Sequence, residues 1–260
     1  MKIILKTERD LEAMRPACAV ASRVLEEVSA FIRPGVTTRE VDLYAASRIK
    51  HHGAKSAFLG YRNYPCNICI SVNDEVVHGL ASDRRLQFGD IVSLDVGVIY
   101  NGFVGDTART VAVGGCSLDA QRLMDVTERA LYVGIAQALP GRRVSDISRA
   151  IQNYVEGNGF SVVREFVGHG VGRAVHEEPQ VPNYVDSKAR DYRLQPGMTL
   201  AIEPMVNAGG PAVKILKDGW TAVTQDGSLS AHFEHSVLIA GSEPDILTCL
   251  QRMPSKLKVG

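Results

Sequence analysis

The side chains whose types and spacing could do chemistry here are a set of acids on paired strands and one histidine among glycines. Ile91 to Tyr100 and Phe103 to Val113 are two apolar, β-branched runs joined by Asn101-Gly102, a strong hairpin signal. A two-residue turn fixes the register, so Tyr100 faces Phe103, Asp95 faces Ala108 and Gly97 faces Asp106. Asp106 therefore lies two residues from the partner of Asp95, on the same face of the sheet and about 7 to 8 Å away at the backbone. Carboxylates that reach a common point repel, and one holds a proton unless a cation sits between them. The chemistry this predicts is metal binding.

A second pair of acids is placed by an internal repeat. Leu86 to Gly97 reads LQFGDIVSLDVG and Leu194 to Met205 reads LQPGMTLAIEPM, so Glu203 is the counterpart of Asp95. Glu234, on a strand expected over His232 to Ala240, is the rough counterpart of Asp106. If a pseudo-twofold axis relates the halves, four carboxylates meet at it, which suits two divalent ions. Taken singly, each acid reads more readily as a strand-end residue in solvent or a salt-bridge partner; jointly that reading fails, because the repeat places them. His169 stands in Gly168-His169-Gly170-Val171-Gly172, where glycine lets the backbone come close to a site. Imidazole mixed with carboxylates suits transition metals better than calcium or magnesium.

The elements that must position these groups are also periodic. Leu11, Met14, Cys18, Ala21, Leu25, Val28 and Ile32 form a helical stripe from a cap at Thr7 to a stop before Pro34-Gly35. Thr37 with Glu40 is a capping box for the next helix, which ends near Gly53. Leu123, Val126, Ala130, Val133 and Ala136 form a stripe ended by Pro140-Gly141, and Ser145 is expected to cap a helix carrying Ile147, Ile151 and Val155 up to Gly157. Two helices followed by strands, twice over, read as an α+β architecture with helices on a mostly antiparallel sheet. The expectation is one domain over 1–260, with halves of about 1–115 and 116–250. The tail from Met253 to Gly260, with Lys256 and Lys258, is expected to fray.

Composition narrows the partners. In 260 residues, 45% hydrophobic, Lys plus Arg and Asp plus Glu both number 29, so no excess positive charge exists to hold nucleic acid or an acidic membrane. The apolar run Ile3 to Leu5 is far too short for a signal core or a membrane span, and a cytoplasmic protein is the simplest expectation. Five cysteines, Cys18, Cys66, Cys69, Cys116 and Cys249, cannot all pair, which fits a reducing compartment. The Cys66-x-x-Cys69 pair lacks a second such pair and a redox-type helical context. The glycines around His169 lack the strand, turn and long helix of a dinucleotide site. No Walker lysine motif or G-x-S-x-G elbow occurs.

Several motifs in order carry a resemblance over about residues 3 to 250: NDEVVHG at Asn73 to Gly79, LDVG and GDTART within Leu94 to Thr110, GHGVGRAVHEEP at Gly168 to Pro179, AIEPM at Ala201 to Met205 and HFEHS at His232 to Ser236. By these the chain resembles the type I methionine aminopeptidases, of the pita-bread fold. The resemblance implies Asp95, Asp106, His169, Glu203 and Glu234 as metal ligands, with Asp106 and Glu234 bridging two ions, which would be cobalt, manganese, iron or zinc. It implies that a metal-bridging hydroxide attacks the first peptide bond, and that one ion takes the substrate's α-amino group. Glu203 would accept a proton, His176 stabilise the oxyanion and His78 hold the scissile amide nitrogen or assist the departing amine. Phe58, Tyr61, Tyr64, Cys69, Val175 and Trp220 would surround the methionine side chain, where aromatic walls suit sulfur. Some relatives carry a cysteine near the first of these and a larger apolar residue near Val175. His51, His52, His232 and His235 are read as ordinary buried or surface histidines.

The implied substrates are peptides and nascent proteins beginning with Met, met at the ribosome or free, and a monomer is the default. Two alternatives share the fold. A proline-directed aminopeptidase or dipeptidase generally needs a further amino-terminal domain, and too little chain precedes Asp95 for one. A non-catalytic peptide- or protein-binding relative usually loses metal ligands, and all five positions here are filled.

Overall fold

In a computed structural model the chain is described over residues 3–188 and 190–249; the tail from Met253 to Gly260 lies outside the described residues. The helices among them are α1 (Glu8–Phe31), α2 (Thr38–His51), α3 (Leu118–Ile135) and α4 (Val144–Gly157). Thr7 and Thr37 accept from the N–H groups of Asp10 and Glu40, whose carboxylates accept in return from the backbone of the two threonines. Each box satisfies two donors that a helix start leaves open. The stripe of α1 from Leu11 to Val28 is buried against the Ile91–Tyr100 and Phe103–Ala112 strands.

Two helix details differ from expectation. The buried face of α3 ends on Gly134 and Ile135, while Val133 is half-buried and Ala136 exposed; from Ala130 the face advances by four residues, as the 3.6-residue turn requires. The start of α4 is at Val144, not after Ser145. Val144 is buried in the core, which draws it into the helix, and Asp146 accepts the Arg143 N–H at 2.9 Å. Ser145 instead donates its N–H and hydroxyl to Asp191, at 3.0 and 2.9 Å.

Among the described residues nine strands form one sheet, whose path runs Lys55–Ser56, Ile91–Tyr100, Phe103–Ala112, Glu234–Leu238, Thr199–Ile202, Gly168–Gly170, Glu177–Val181. Cys69–Val72 also pairs with Ile91–Tyr100, and Asp245–Ile246 with Glu234–Leu238. Every pairing in it is antiparallel. The hairpin has Tyr100 opposite Phe103, Asp95 opposite Ala108 and Gly97 opposite Asp106, with Asn101 and Gly102 at φ 51° and 76°, as a turn matching the strand twist demands. Helices α1 and α2 share an apolar cluster with Val92, Leu94, Val96 and Val98; α3 and α4 share another with Leu200, Ile202 and Val237. No helix of the described residues is long and apolar enough to cross a membrane.

The strand expected over His232 to Ala240 is two strands. Ser230–His232 pairs with Met205–Asn207 in a small sheet, and Glu234–Leu238 belongs to the large one. Phe233 is the crossing point: its side chain enters the α3–α4 core and its N–H donates to the Pro204 carbonyl at 3.4 Å.

Candidate metal centre

Four neighbouring strands of the large sheet, and the residue just past the end of a fifth, each supply one residue to a single face. Asp106 lies opposite Gly97, two residues from Asp95. Ala108, two residues from Asp106, faces both Asp95 and Glu234. Ser236, two residues from Glu234, faces Ala201, which also faces His169 and stands two residues before Glu203. Opposed residues share a face, and so do residues two apart. Asp95, Asp106, Glu234, Glu203 and His169 therefore project from the same side.

Their polar atoms converge. One ligand atom each from Asp106, His169 and Glu234 lie within 4.8 Å of one another, and His169 Nε2 is 3.3 Å from Glu203 Oε1 and 3.9 Å from Asp106 Oδ2. His169 Nδ1 is 2.9 Å from the Gly170 carbonyl. A carbonyl only accepts, so Nδ1 carries the proton and the Nε2 lone pair faces the carboxylates. Asp95 Oδ1, Asp106 Oδ1 and Glu234 Oε1 are buried without a hydrogen-bond partner among the described residues.

Electrostatics agree with the geometry. Burial pushes the Asp95 carboxyl up to about 7. Burial, then the charge of Asp95, raises Asp106 well above the carboxylate range, and burial with the neighbouring acids does the same for Glu203 and Glu234. His169 is lowered by burial to about 3, so it stays neutral. Lone pairs facing lone pairs, with unsatisfied buried oxygens, fit a divalent cation and fit little else. Neutral imidazole with several carboxylates suits a first-row transition metal.

The surroundings hold these groups in place. Ser236 Oγ donates to the Asp106 carbonyl at 2.8 Å, Thr107 Oγ1 to the Glu234 carbonyl at 2.9 Å and Asn183 Nδ2 to the Glu203 carbonyl at 3.0 Å. Gly168 and Gly170 let the His169 strand approach: an added Cβ at either would stand 2.4 Å from a backbone oxygen, of Ala201 and Glu178 respectively.

One wall carries the other predicted residues. Phe58, Tyr64, Cys69, Val175 and Trp220 share one apolar cluster, in which Tyr64 and Trp220 meet edge to face at 5.0 Å. Cys69 is the cross-strand partner of Asp95, and the Phe58 ring covers Gly97. Tyr61 stacks on His176 and its hydroxyl lies 2.9 Å from His176 Nδ1; the His176 ring is 4.3 Å from that of His169. His78 has a left-handed backbone, φ 59°, a conformation costing about 1–3 kcal/mol for a non-glycine residue and typical of sites. Its ring meets Phe166 at 5.2 Å and Trp220 at 6.1 Å. Burial lowers His78 to about 4 and also lowers His176.

Two residues at this site escaped the sequence reading. Phe166 had no signal in spacing or motif. His232, read as ordinary, is buried with Nε2 only 3.6 Å from Glu203 Oε2; its place two residues before Glu234 was a usable signal.

Fold and site together define a metallopeptidase-type centre. Residues 12–240 match the model of metallopeptidase family M24. The methionine aminopeptidase 1 of Bacillus subtilis is 51% identical over 246 residues, covering 95% of this chain and 99% of that protein. The methionine aminopeptidase of Clostridium perfringens is 49% identical over 249 residues, covering 96% and 100%. The crystal structure of the Thermotoga maritima methionine aminopeptidase superposes with a TM-score of 0.92 at 45% identity, covering 95% of this chain and 99% of that one. The chain belongs to metallopeptidase family M24, and its architecture is the pita-bread fold.

Proposed function

We propose that this protein is a metal-dependent aminopeptidase that removes the initiator methionine from peptides and nascent proteins in the cytoplasm, acting as a monomer on free or ribosome-borne chains. The observation that carries the reading is the convergence of buried, unpartnered acid oxygens and a lone-pair-presenting imidazole beside an apolar, aromatic-walled cluster. It is supported by relatives named methionine aminopeptidase at about half identity over nearly the whole chain. The catalytic unit is a single domain, since Asp95 and Asp106 come from one half and His169, Glu203 and Glu234 from the other.

Asp95, Asp106, His169, Glu203 and Glu234 would together hold two divalent ions. Bound there, the ions would supply Lewis acidity that brings the pKa of water down to about 7. Glu203 is the base that takes a proton from the attacking water. Tyr61 donates its hydroxyl hydrogen to His176 Nδ1, which leaves Nε2–H free to meet the carbonyl oxygen as it gains charge. His78 holds the scissile amide nitrogen, and the cluster of Phe58, Tyr64, Cys69, Val175 and Trp220, with Tyr61, takes the thioether.

The test is digestion of Met-Ala-Ser by purified protein supplied in turn with cobalt, manganese, iron and zinc. Release of free methionine, with Xaa-Pro peptides left intact, is the expected result. Cleavage of Xaa-Pro peptides alone would move the assignment to the proline-directed class, and metal binding without any hydrolysis to a binding protein.

A further inference from the structure

The carboxylate of Glu203 lies between two imidazoles, one to each oxygen. His169 Nε2 stands 3.3 Å from Oε1 and His232 Nε2 stands 3.6 Å from Oε2. The two rings differ in what they are free to do. His169 has its Nδ1 proton committed to the Gly170 carbonyl, so its Nε2 faces the acids as a lone pair. His232 is 1% exposed and its Nε2 has no hydrogen-bond partner among the described residues, a costly condition for a buried polar nitrogen.

The backbone of His232 is pinned. Thr110 Oγ1 accepts the His232 N–H at 2.9 Å and donates to the His232 carbonyl at 3.0 Å, and its second neighbour, Ser93 Oγ, lies at 2.8 Å. The Glu203 backbone is pinned as well, through Asn183. What is left to adjust is the Glu203 side chain. A gap of 3.6 Å exceeds the usual N–H···O length by roughly 0.6 Å, which a small rotation of the carboxylate closes.

We propose that His232 is a positioning residue for Glu203: its Nε2–H takes the Oε2 oxygen, turning Oε1 toward the metal centre and fixing the carboxylate in its ligating orientation. A carboxylate ligand is held by such an outer hydrogen bond as a rule, and losing it costs about 10–100-fold in metal affinity. The proposal rests on the metal-centre reading above.

The experiment compares the full chain with its His232→Gln, His232→Asn and His232→Leu variants, using Co(II) titrated by calorimetry and followed by visible absorption, with circular dichroism as a check on folding. Glutamine carries an amide N–H to the position of Nε2, whereas asparagine is polar but too short. The expected result is a loss of Co(II) affinity of about 10–100-fold and an altered Co(II) spectrum for Asn and Leu, with Gln returning close to wild type in both. If Leu does not fold, the Gln and Asn pair decides alone. Equal behaviour of Gln and Asn, whether both normal or both impaired, overturns the proposal. Failure of the unaltered chain to bind Co(II) would instead refute the metal centre itself, and this proposal with it.

Discussion

Replacing Lys6 by methionine tests how the wall carrying Val175 and His176 is held, from a residue outside the ligand set. Lys6 Nζ lies 2.5 Å from Glu177 Oε2, with the two side chains 4% and 7% exposed. Glu177 Oε1 accepts the N–H groups of Arg173 and Ala174, at 2.8 and 3.3 Å, so one carboxylate gathers the turn before His176. The Lys6 N–H donates to the Gly197 carbonyl at 2.7 Å, which anchors the other end. At this separation and an effective permittivity of about 20, the attraction is about 7 kcal/mol, much of it offset by desolvation. Lys6→Met leaves Glu177 buried without its counter-charge, an outcome that costs about 3–5 kcal/mol and lowers Tm by roughly 6–20 °C. Adding Glu177→Gln keeps an oxygen for the two N–H groups and removes the stranded charge, so the double variant should recover at least about 2 kcal/mol. Urea unfolding of the four species gives the coupling. In the folded Lys6→Met protein kcat/KM should fall about tenfold, as expected when catalytic groups are misplaced by a fraction of an ångström. A single variant within about 1 kcal/mol of wild type, or a cycle with no coupling, would refute the reasoning.

Other outcomes follow from the centre. The Asp95 carboxyl, ordinarily near 3.8, is raised to about 7 in the metal-free fold. Its contribution to stability is complete below about pH 3.8 and lost as pH rises to about 7, and a cation that takes the place of the proton restores it. Manganese should therefore raise Tm more at pH 7.5 than at pH 5.5, and calorimetry at pH 6 in buffers of different ionisation enthalpy should detect proton release on binding; equal shifts and no release would contradict the raised carboxyls. Asp106→Asn should abolish peptide hydrolysis, by at least about 10³-fold, yet raise the Tm of the metal-free protein near neutral pH, because it removes an acid that this crowded buried cluster accepts only with its proton on; scanning fluorimetry in chelator checks this. Tyr61→Phe, which deletes the partner of His176 Nδ1, should lower kcat by about tenfold with Tm shifted by less than about 2 °C, measured by steady-state kinetics and melting.

The hairpin carrying Asp95 and Asp106 was legible in the sequence because Asn101-Gly102 admits one turn geometry and a two-residue turn admits one register. The start of α4 was not, since Ser145 is a good cap by type while the actual start depends on burying Val144, a tertiary fact. The break at Phe233 was hidden for a similar reason. HFEHSVLIA reads as one β-run, and only the competition between two sheets and the α3–α4 core ends it. The spacing of His232, two residues before Glu234, points to the site, but its distance to Glu203 is a tertiary fact that no local pattern contains. The acids themselves were legible because repeat position and strand alternation both constrain them.

The seam between the halves shows how the fold accommodates the centre. Asp106 and Glu234 stand on adjacent strands whose ladder contains only the pairs Glu234 with Ala108 and His235 with Thr107. Side-chain hydroxyls extend the connection: Ser236 to the Asp106 carbonyl, Thr107 to the Glu234 carbonyl and Thr110 to both backbone groups of His232. Valine or isoleucine at these buried positions would suit a strand equally well but could not bridge a ladder that the Phe233 crossing interrupts. The apolar clusters beneath α1–α2 and α3–α4 each draw mainly on one half, while a third, with Met14, Phe103, Val171 and Leu238, packs across the seam. The two-pair ladder, the hydroxyls and that cluster hold the seam closed, and the crowding of buried acids at the centre opposes them. Ions held by acids of both halves would act across this seam, so metal binding there and the closure of the two halves would be coupled in free energy.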